Sequence, residues 1–249
     1  MSKKLVSIIT PSYNSSNFIA DTILSIQRQS YINWELLITD DCSTDNTIQI
    51  INSFVQKDKR IKLFKFNENK GAGFARNNSI SHAKGTLIAF CDSDDIWLPK
   101  KLEKQIIFMK KKNLVFTYSS YNVCNSNNEN IGLVRCPKKI SFRKMLNNNY
   151  VGCLTAIYDS EKLGKLFMSK IRNRQDWVLW LKILKVSGPT LGIEEPLAVY
   201  RKRNNSISSS KLKQLIFNYN VYRKELGFNF LLSLILMVNF MIYYAAKKI

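Results

Sequence analysis

Asp92, Asp94 and Asp95 crowd three carboxylates into four positions at the end of the apolar run LIAFC, just before Trp97 and Pro99. Like charges this close repel one another unless a cation or hydrogen-bond donors sit among them, so the cluster suits a divalent metal held by oxygen ligands. It suits equally an Asx-rich turn capping a helix begun at Pro99, and in isolation the residues allow both. A second pair, Asp40 and Asp41, ends the apolar run WELLIT. At such a tip one carboxylate can accept from a uracil N–H or from ribose hydroxyls while its neighbour caps the next helix; plain capping by both is the simpler reading. The segment Lys70-Gly71-Ala72-Gly73 would let backbone approach a phosphate, although it lacks both the third glycine of a dinucleotide fingerprint and the P-loop lysine. Arg76 adds a fixed cation nearby.

Other residue types narrow the chemistry. The single histidine, His82, excludes a multi-histidine metal site and points to a carboxylate for any general base. Five scattered cysteines (Cys42, Cys91, Cys124, Cys136, Cys153) form no C-x-x-C pair, so reduced thiols are expected rather than a disulfide framework or zinc ribbon. Lys and Arg number 38 against 18 Asp and Glu, a formal net charge of +20, which calls for an anionic partner: nucleic acid, an acidic membrane surface or a phosphorylated substrate. With 249 residues and 45% hydrophobic content the chain can bury a sizeable core. The basic start is followed by too short an apolar run for a signal peptide to be expected.

The elements that must carry these residues alternate. Residues 5–10 form a β-branched run ended by Pro11, and residues 18–29 show helical spacing through Phe18, Ile19, Ile23, Leu24 and Ile26. Residues 34–39 make a second strand, after which Thr44 or Asp45 caps a helix running to about Val55. Residues 61–66 are a third strand, NKGAGFARNN opens a helix that ends near Gly85, and residues 87–91 are the fourth. Such alternation predicts an α/β fold with a parallel, doubly wound sheet, whose ligands gather outside the carboxyl ends of the strands, where Pro11, Asp40, Asp41 and the Asp92 cluster fall.

Beyond Asn113 the alternation loosens. Short strands are expected over residues 114–118, 131–136, 154–158 and 197–200, a polar loop over 122–130, helical turns over 141–146, and a helix over 175–186 with Trp177, Leu181 and Leu184 on one face. This half reads as a smaller, partly antiparallel addition closing over the rim. Between Arg201 and Lys224 lie seven basic residues (Arg201, Lys202, Arg203, Lys211, Lys213, Arg223, Lys224) and no acid. Residues 226–246 then carry no charge, a length of roughly 20 residues that suffices to cross a bilayer. Asn229, Ser233, Asn239, Tyr243 and Lys247 nevertheless share one half of the helix circumference, which favours a helix lying in the interface or packing its polar edge on the domain.

Taken in order, SIITPSYN, ELLITDDCSTDNT, NKGAGFARNNSI and AFCDSDDIWLPKKL resemble the family 2 inverting glycosyltransferases of the GT-A fold. The resemblance covers residues 5–208 and is most specific up to Leu102. It implies a Rossmann-like nucleotide-binding sheet with a smaller acceptor-binding half, a UDP-sugar donor, and Mn2+ or Mg2+ bridging the diphosphate. By the same resemblance Pro11, Tyr13 and Asp41 surround the uridine, and Arg76 lies near a base- or phosphate-contacting cation. Asp92 and Asp94 match the D-x-D motif, with Asp94 on the metal and Asp92 on ribose and metal. Asp176, within Asn173-Arg174-Gln175-Asp176-Trp177, is similar to the general base, although Gln175 stands where relatives often have Glu; as a bare residue it could equally be an ordinary acid in a first helical turn. Arg201 and Arg203 are candidates for the diphosphate, in a region where relatives often carry a histidine.

The expected organisation is a glycosyltransferase domain over 1–210 (donor half 1–113, acceptor half 114–210) and a basic, hydrophobic membrane-associating tail over 211–249. The expected activity is transfer of a hexose, glucose or galactose, from its UDP donor to a sugar on a polyprenyl (undecaprenyl) diphosphate, as in assembly of an O-antigen or another surface polysaccharide. The expected location is the cytoplasmic face of a bacterial inner membrane, peripheral or with one C-terminal hydrophobic helix, on an anionic surface. Two rivals are a nucleotidyltransferase, which would use the same ligands to make a nucleotide-sugar, and a basic nucleic-acid-binding protein. No recognition module supports the latter, so no nucleic-acid partner is expected.

Overall fold

The computed structural model describes residues 4–202 and 211–246. Its first half follows the expected alternation: β1 (Val6–Ser12), α1 (Ile19–Gln27), β2 (Trp34–Asp40), α2 (Thr47–Val55), β3 (Ile61–Lys65), α3 (Ala72–His82) and β4 (Leu87–Phe90). These strands run parallel in the order β3-β2-β1-β4. Every residue of β1, β2 and β4 is buried, as parallel strands covered on both faces require.

The second half continues the same sheet: β5 (Ile96–Trp97), α4 (Lys101–Lys112), β6 (Phe116–Cys124), β7 (Asn130–Val134), β8 (Lys139–Ile140), α5 (Phe142–Asn147), β9 (Ile157–Asp159), α6 (Ser160–Leu163), α7 (Gln175–Ser187) and β10 (Thr190–Arg201). Short β9 inserts antiparallel between β4 and β6, and β10 runs parallel to β6. β6 thus runs through part of the expected polar loop. β10 begins well before the expected 197: Pro196 is accommodated because the β6–β10 register shifts on either side of it, so no ladder N–H is required there. One core packs α7 onto the sheet with Phe90, Phe116 and Tyr118; the other packs Ile19 and Ile23 of α1 and Leu102 of α4 on the opposite face.

The tail differs most from expectation. α8 (Lys211–Asn220) leads into a π-helical turn (Val221–Glu225), the chain reverses at Gly227 with φ at +69°, and α9 (Phe230–Ala246) follows with 17 residues. At 1.5 Å per residue α9 is about 26 Å long, and among the described residues no helix is long and apolar enough to cross a membrane. The spanning helix that the uncharged stretch allowed is therefore replaced by a shorter one packed on the domain. The polar edge forms only part of its contact: Ser233 is buried alongside Leu236, Met237 and Phe240, and Asn239 is half-buried, whereas Asn229 and Tyr243 are exposed. Ser233 tolerates burial because its Oγ donates to the Asn229 carbonyl at 2.8 Å.

Candidate active site

Beyond the tip of β4, α1 and the residue pair after it hold the backbone from Asp95 to Leu98, at the end of the acid cluster. Thr22 Oγ1 donates to the Asp95 carbonyl (2.8 Å), Ser25 Oγ accepts from the Trp97 N–H (3.1 Å), and Gln29 Nε2 donates to the Leu98 carbonyl (2.9 Å). Spacing of three and four residues puts these polar groups on one side of the helix. Asp95 turns inward and its Oδ1 accepts the Arg201 N–H at 3.3 Å. Burial, then the neighbouring Asp94 and Asp92 charges, push its pKa well above the usual carboxylate range. Asp92 and Asp94 remain partly exposed.

Arg76 stands between the strand-tip acids and the second half. Its Nη2 meets Asp92 Oδ1 at 2.5 Å. Burial works against its charge, but Asp92, with Cys153 and Asp176 behind it, raises its pKa. Its Nε is buried with no hydrogen-bond partner. Asp176 lies in the first turn of α7, where the helix dipole favours a carboxylate, and its Oδ2 accepts from Asn149 Nδ2 at 2.8 Å. Arg76 thus pairs directly with Asp92, while Asp176 and Cys153 lie within electrostatic reach of its guanidinium, and Tyr121 within reach of Asp176. Asn149 carries no signal beyond membership of an Asn run, and Cys153 none beyond being one of five scattered thiols.

The start of α7 is fixed from several sides. Trp177 Nε1 donates to the Met145 carbonyl (2.8 Å), Arg174 Nε to Asn218 Oδ1 of α8 (2.8 Å), and Gln175 Nε2 to the Ile171 carbonyl (2.6 Å). Gln175 also presses on Gly73 of α3, where an added Cβ would lie 2.5 Å from Gln175 Cδ. Gly73→Ala is therefore expected to push the Gln175 amide off the Ile171 carbonyl, a cost of about 1 kcal/mol that the helix propensity gained by alanine partly offsets. Displacement of the α7 N-terminus should lower kcat at the same time, as thermal melts and initial rates would show.

At the other end of the rim, Asp41 is 3% exposed and its two carboxylate oxygens accept the N–H groups of Lys70 and Gly71, both at 2.7 Å. The glycine segment, with Gly71 at φ +95°, is thereby tied to the tip of β2, and lone pairs remain on both oxygens for a further donor. Asp40 is occupied by Ser12 and Ser43. Pro11 is buried within β1, and Tyr13 just beyond it is 47% exposed. Arg201, expected at the diphosphate, is placed otherwise: it is 2% exposed, its Nη2 donates to Asp21 (3.0 Å) and Asn128 (2.8 Å), and its guanidinium stacks over Phe18. Its side chain is committed to joining β10, α1 and the β6–β7 turn. Arg203 lies outside the described residues.

Among the described residues no group of three or more His, Cys, Asp or Glu forms a metal cage. Two partly exposed carboxylates nonetheless fit an ion of the Mg2+ or Mn2+ type, which is ordinarily held by one or two carboxylates together with substrate phosphates. A groove of about 480 Å³ lined by Lys104, Lys111, Lys138 and Leu191 lies between α4 and β10 and shares no residue with this cluster.

Comparison with known proteins finds relatives along most of the chain. The family model described as Glycosyl transferase family 2 matches residues 7–167. The chain is 43% identical over 224 residues to the UDP-Glc:alpha-D-GlcNAc-diphosphoundecaprenol beta-1,3-glucosyltransferase WfgD of Escherichia coli, covering 89% of this chain and 86% of that protein. It is 41% identical over 223 residues to TuaG of Bacillus subtilis, named for teichuronic acid biosynthesis, covering 89% and 88%. Among solved structures, S. aureus TarS in complex with UDP superimposes with a TM-score of 0.73 at 18% identity, over 95% of this chain and 70% of that one. The likeness to TarS shows the GT-A fold.

Proposed function

The chain belongs to glycosyl transferase family 2, and from that premise we propose that it transfers a hexose, glucose first among the candidates, from a UDP-sugar to a sugar carried on undecaprenyl diphosphate. The single observation that carries the reading is the Arg76–Asp92 ion pair at the strand tips, with Asp176 on α7 within electrostatic reach of the same guanidinium. One cation then faces both the donor's departing diphosphate and the carboxylate that activates the acceptor. The likeness to WfgD, which by its name takes UDP-Glc and a GlcNAc-diphosphoundecaprenol, supports this donor and acceptor, in the setting of an O-antigen or another surface polysaccharide.

In this reading residues 1–113 bind the donor and residues 114–210 the acceptor. Pro11, Tyr13 and Asp41 hold the uridine. Asp176 takes the proton of the acceptor hydroxyl, the oxygen attacks the anomeric carbon opposite UDP, and the configuration inverts in one displacement. Asp94 and Asp92 would hold Mn2+ or Mg2+, which when bound supplies neutralising charge to the departing UDP. Arg76 keeps Asp92 aimed and places a fixed positive charge within electrostatic reach of Asp176.

A panel of UDP- and GDP-sugars, offered with a synthetic lipid-diphosphate-linked GlcNAc with and without EDTA, tests the assignment. Transfer from UDP-glucose that EDTA abolishes is expected; transfer from GDP-sugars alone would overturn it. Asp41→Ala leaves the Lys70 and Gly71 N–H groups without their acceptor. At about 1–3 kcal/mol for a lost buried partner, it should raise the donor KM about tenfold or more and leave the acceptor KM near normal.

A further inference from the structure

We propose that the outward face of α9 is a docking surface for an anionic lipid bilayer, with the helix lying in the plane of the interface; this rests on the lipid-linked-acceptor reading above. α9 turns Ser233, Leu236, Met237 and Phe240 into the domain. Leu231, Leu234, Ile235, Val238, Met241 and Ile242 are left exposed on the other side, with no charged residue anywhere in residues 226–246. A contiguous apolar surface of this kind on a folded domain marks an interaction site.

The surroundings select the occupant. Exposed Arg223 and Lys224 lie just before the helix, and α5, which packs against α9, carries exposed Arg143 and Lys144. Glu225, the acid nearest along the chain, accepts from Ser169 Oγ at 2.6 Å. An apolar face beside basic residues matches acyl chains below anionic headgroups. A second copy would bring the same basic residues, on a chain of net charge +20, against one another.

The helix is also held at the surface. Its first turn is capped by Asn229, whose Oδ1 accepts the Leu232 N–H at 2.9 Å, and Arg223 Nη1 donates to the Phe228 carbonyl at 2.6 Å. On the inner side Phe240 and Tyr222 flank Trp177 with ring centroids 5.9 and 5.7 Å away, directly after Asp176. Docking through α9 would therefore put the bilayer on the Trp177 side of the first turn of α7, with α9 lying between the two.

The test uses the full chain and flotation with vesicles of phosphatidylcholine alone or with phosphatidylglycerol. The wild type should float with the anionic vesicles, and added salt should weaken it. Leu234→Gln/Ile235→Gln/Val238→Gln, which alters outward residues only, should lose at least tenfold in vesicle affinity with an unchanged melting temperature and unchanged turnover of a short soluble acceptor. Arg143→Ser/Lys144→Ser should lose affinity for anionic vesicles only. Wild-type-like flotation of both variants overturns the proposal, as does a dimer-to-monomer change in the triple variant with vesicle binding intact. Flotation that depends on these residues, without transfer to any lipid-linked acceptor, would instead sink the acceptor reading and leave the docking surface standing.

Discussion

Asp176→Asn is expected to slow turnover by about 100- to 10,000-fold, the usual worth of a positioned general base, while affinity for the donor stays within a few fold of normal. The substitution keeps the size of the side chain and an oxygen that can still accept from Asn149 Nδ2. It also leaves Trp177 hydrogen-bonded to the Met145 carbonyl, so α7 stays in place. What disappears is the carboxylate proposed to take the acceptor proton, and with it a charge within electrostatic reach of Arg76. Initial rates of UDP release at saturating acceptor, with UDP binding measured by calorimetry, separate the two contributions. Turnover within threefold of wild type would place the base elsewhere; an equal loss of UDP affinity would make Asp176 a structural residue of the cleft.

The first half of this fold is legible in the sequence because its physics is local. Runs such as VSIIT and WELLIT are buried on both faces, so they read as continuous apolar segments, and the strands' carboxyl ends are marked by Pro11, Asp41 and Asp92 themselves. The rest depends on distant partners. β9 overlaps the strand expected over residues 154–158, but its place between β4 and β6, antiparallel to both, is set by those partners and not by any window around Ile157. The Glu194-Glu195-Pro196 segment falls before the strand expected at 197–200 and is a shifted stretch of β10. Thr22, Ser25 and Gln29 interrupt an otherwise apolar helical pattern, and that interruption is the one available sign that α1 binds the backbone around Asp95. Arg201 is basic and lies in the expected loop region, but charge does not tell whether a guanidinium faces a ligand or Asp21. For residues 226–246 hydropathy gave length without the break at Gly227 or the inward turn of Phe240.

Asp94→Ala should abolish the metal-stimulated part of turnover, a fall of about 1,000-fold or more on the several kcal/mol that a Lewis-acid cation contributes, with the melting temperature nearly unchanged. The three acids of the cluster do different work, and that is what makes this variant informative. Asp95 is enclosed and bound to the Arg201 N–H, so it is unsuited to a ligand that must meet a diphosphate. Asp92 is joined to Arg76, so Asp92→Asn would leave a buried guanidinium without its counter-charge and should lower stability by about 2 kcal/mol as well as activity. Asp94 lies partly exposed between them. Titrating Mn2+ into EDTA-treated protein, with rate and thermal melt read together, therefore resolves two patterns: loss of the metal response alone for Asp94→Ala, and loss of response together with stability for Asp92→Asn. A normal Mn2+ response in Asp94→Ala would remove it from the site and leave Asp92 with Arg76 as the donor-side pair.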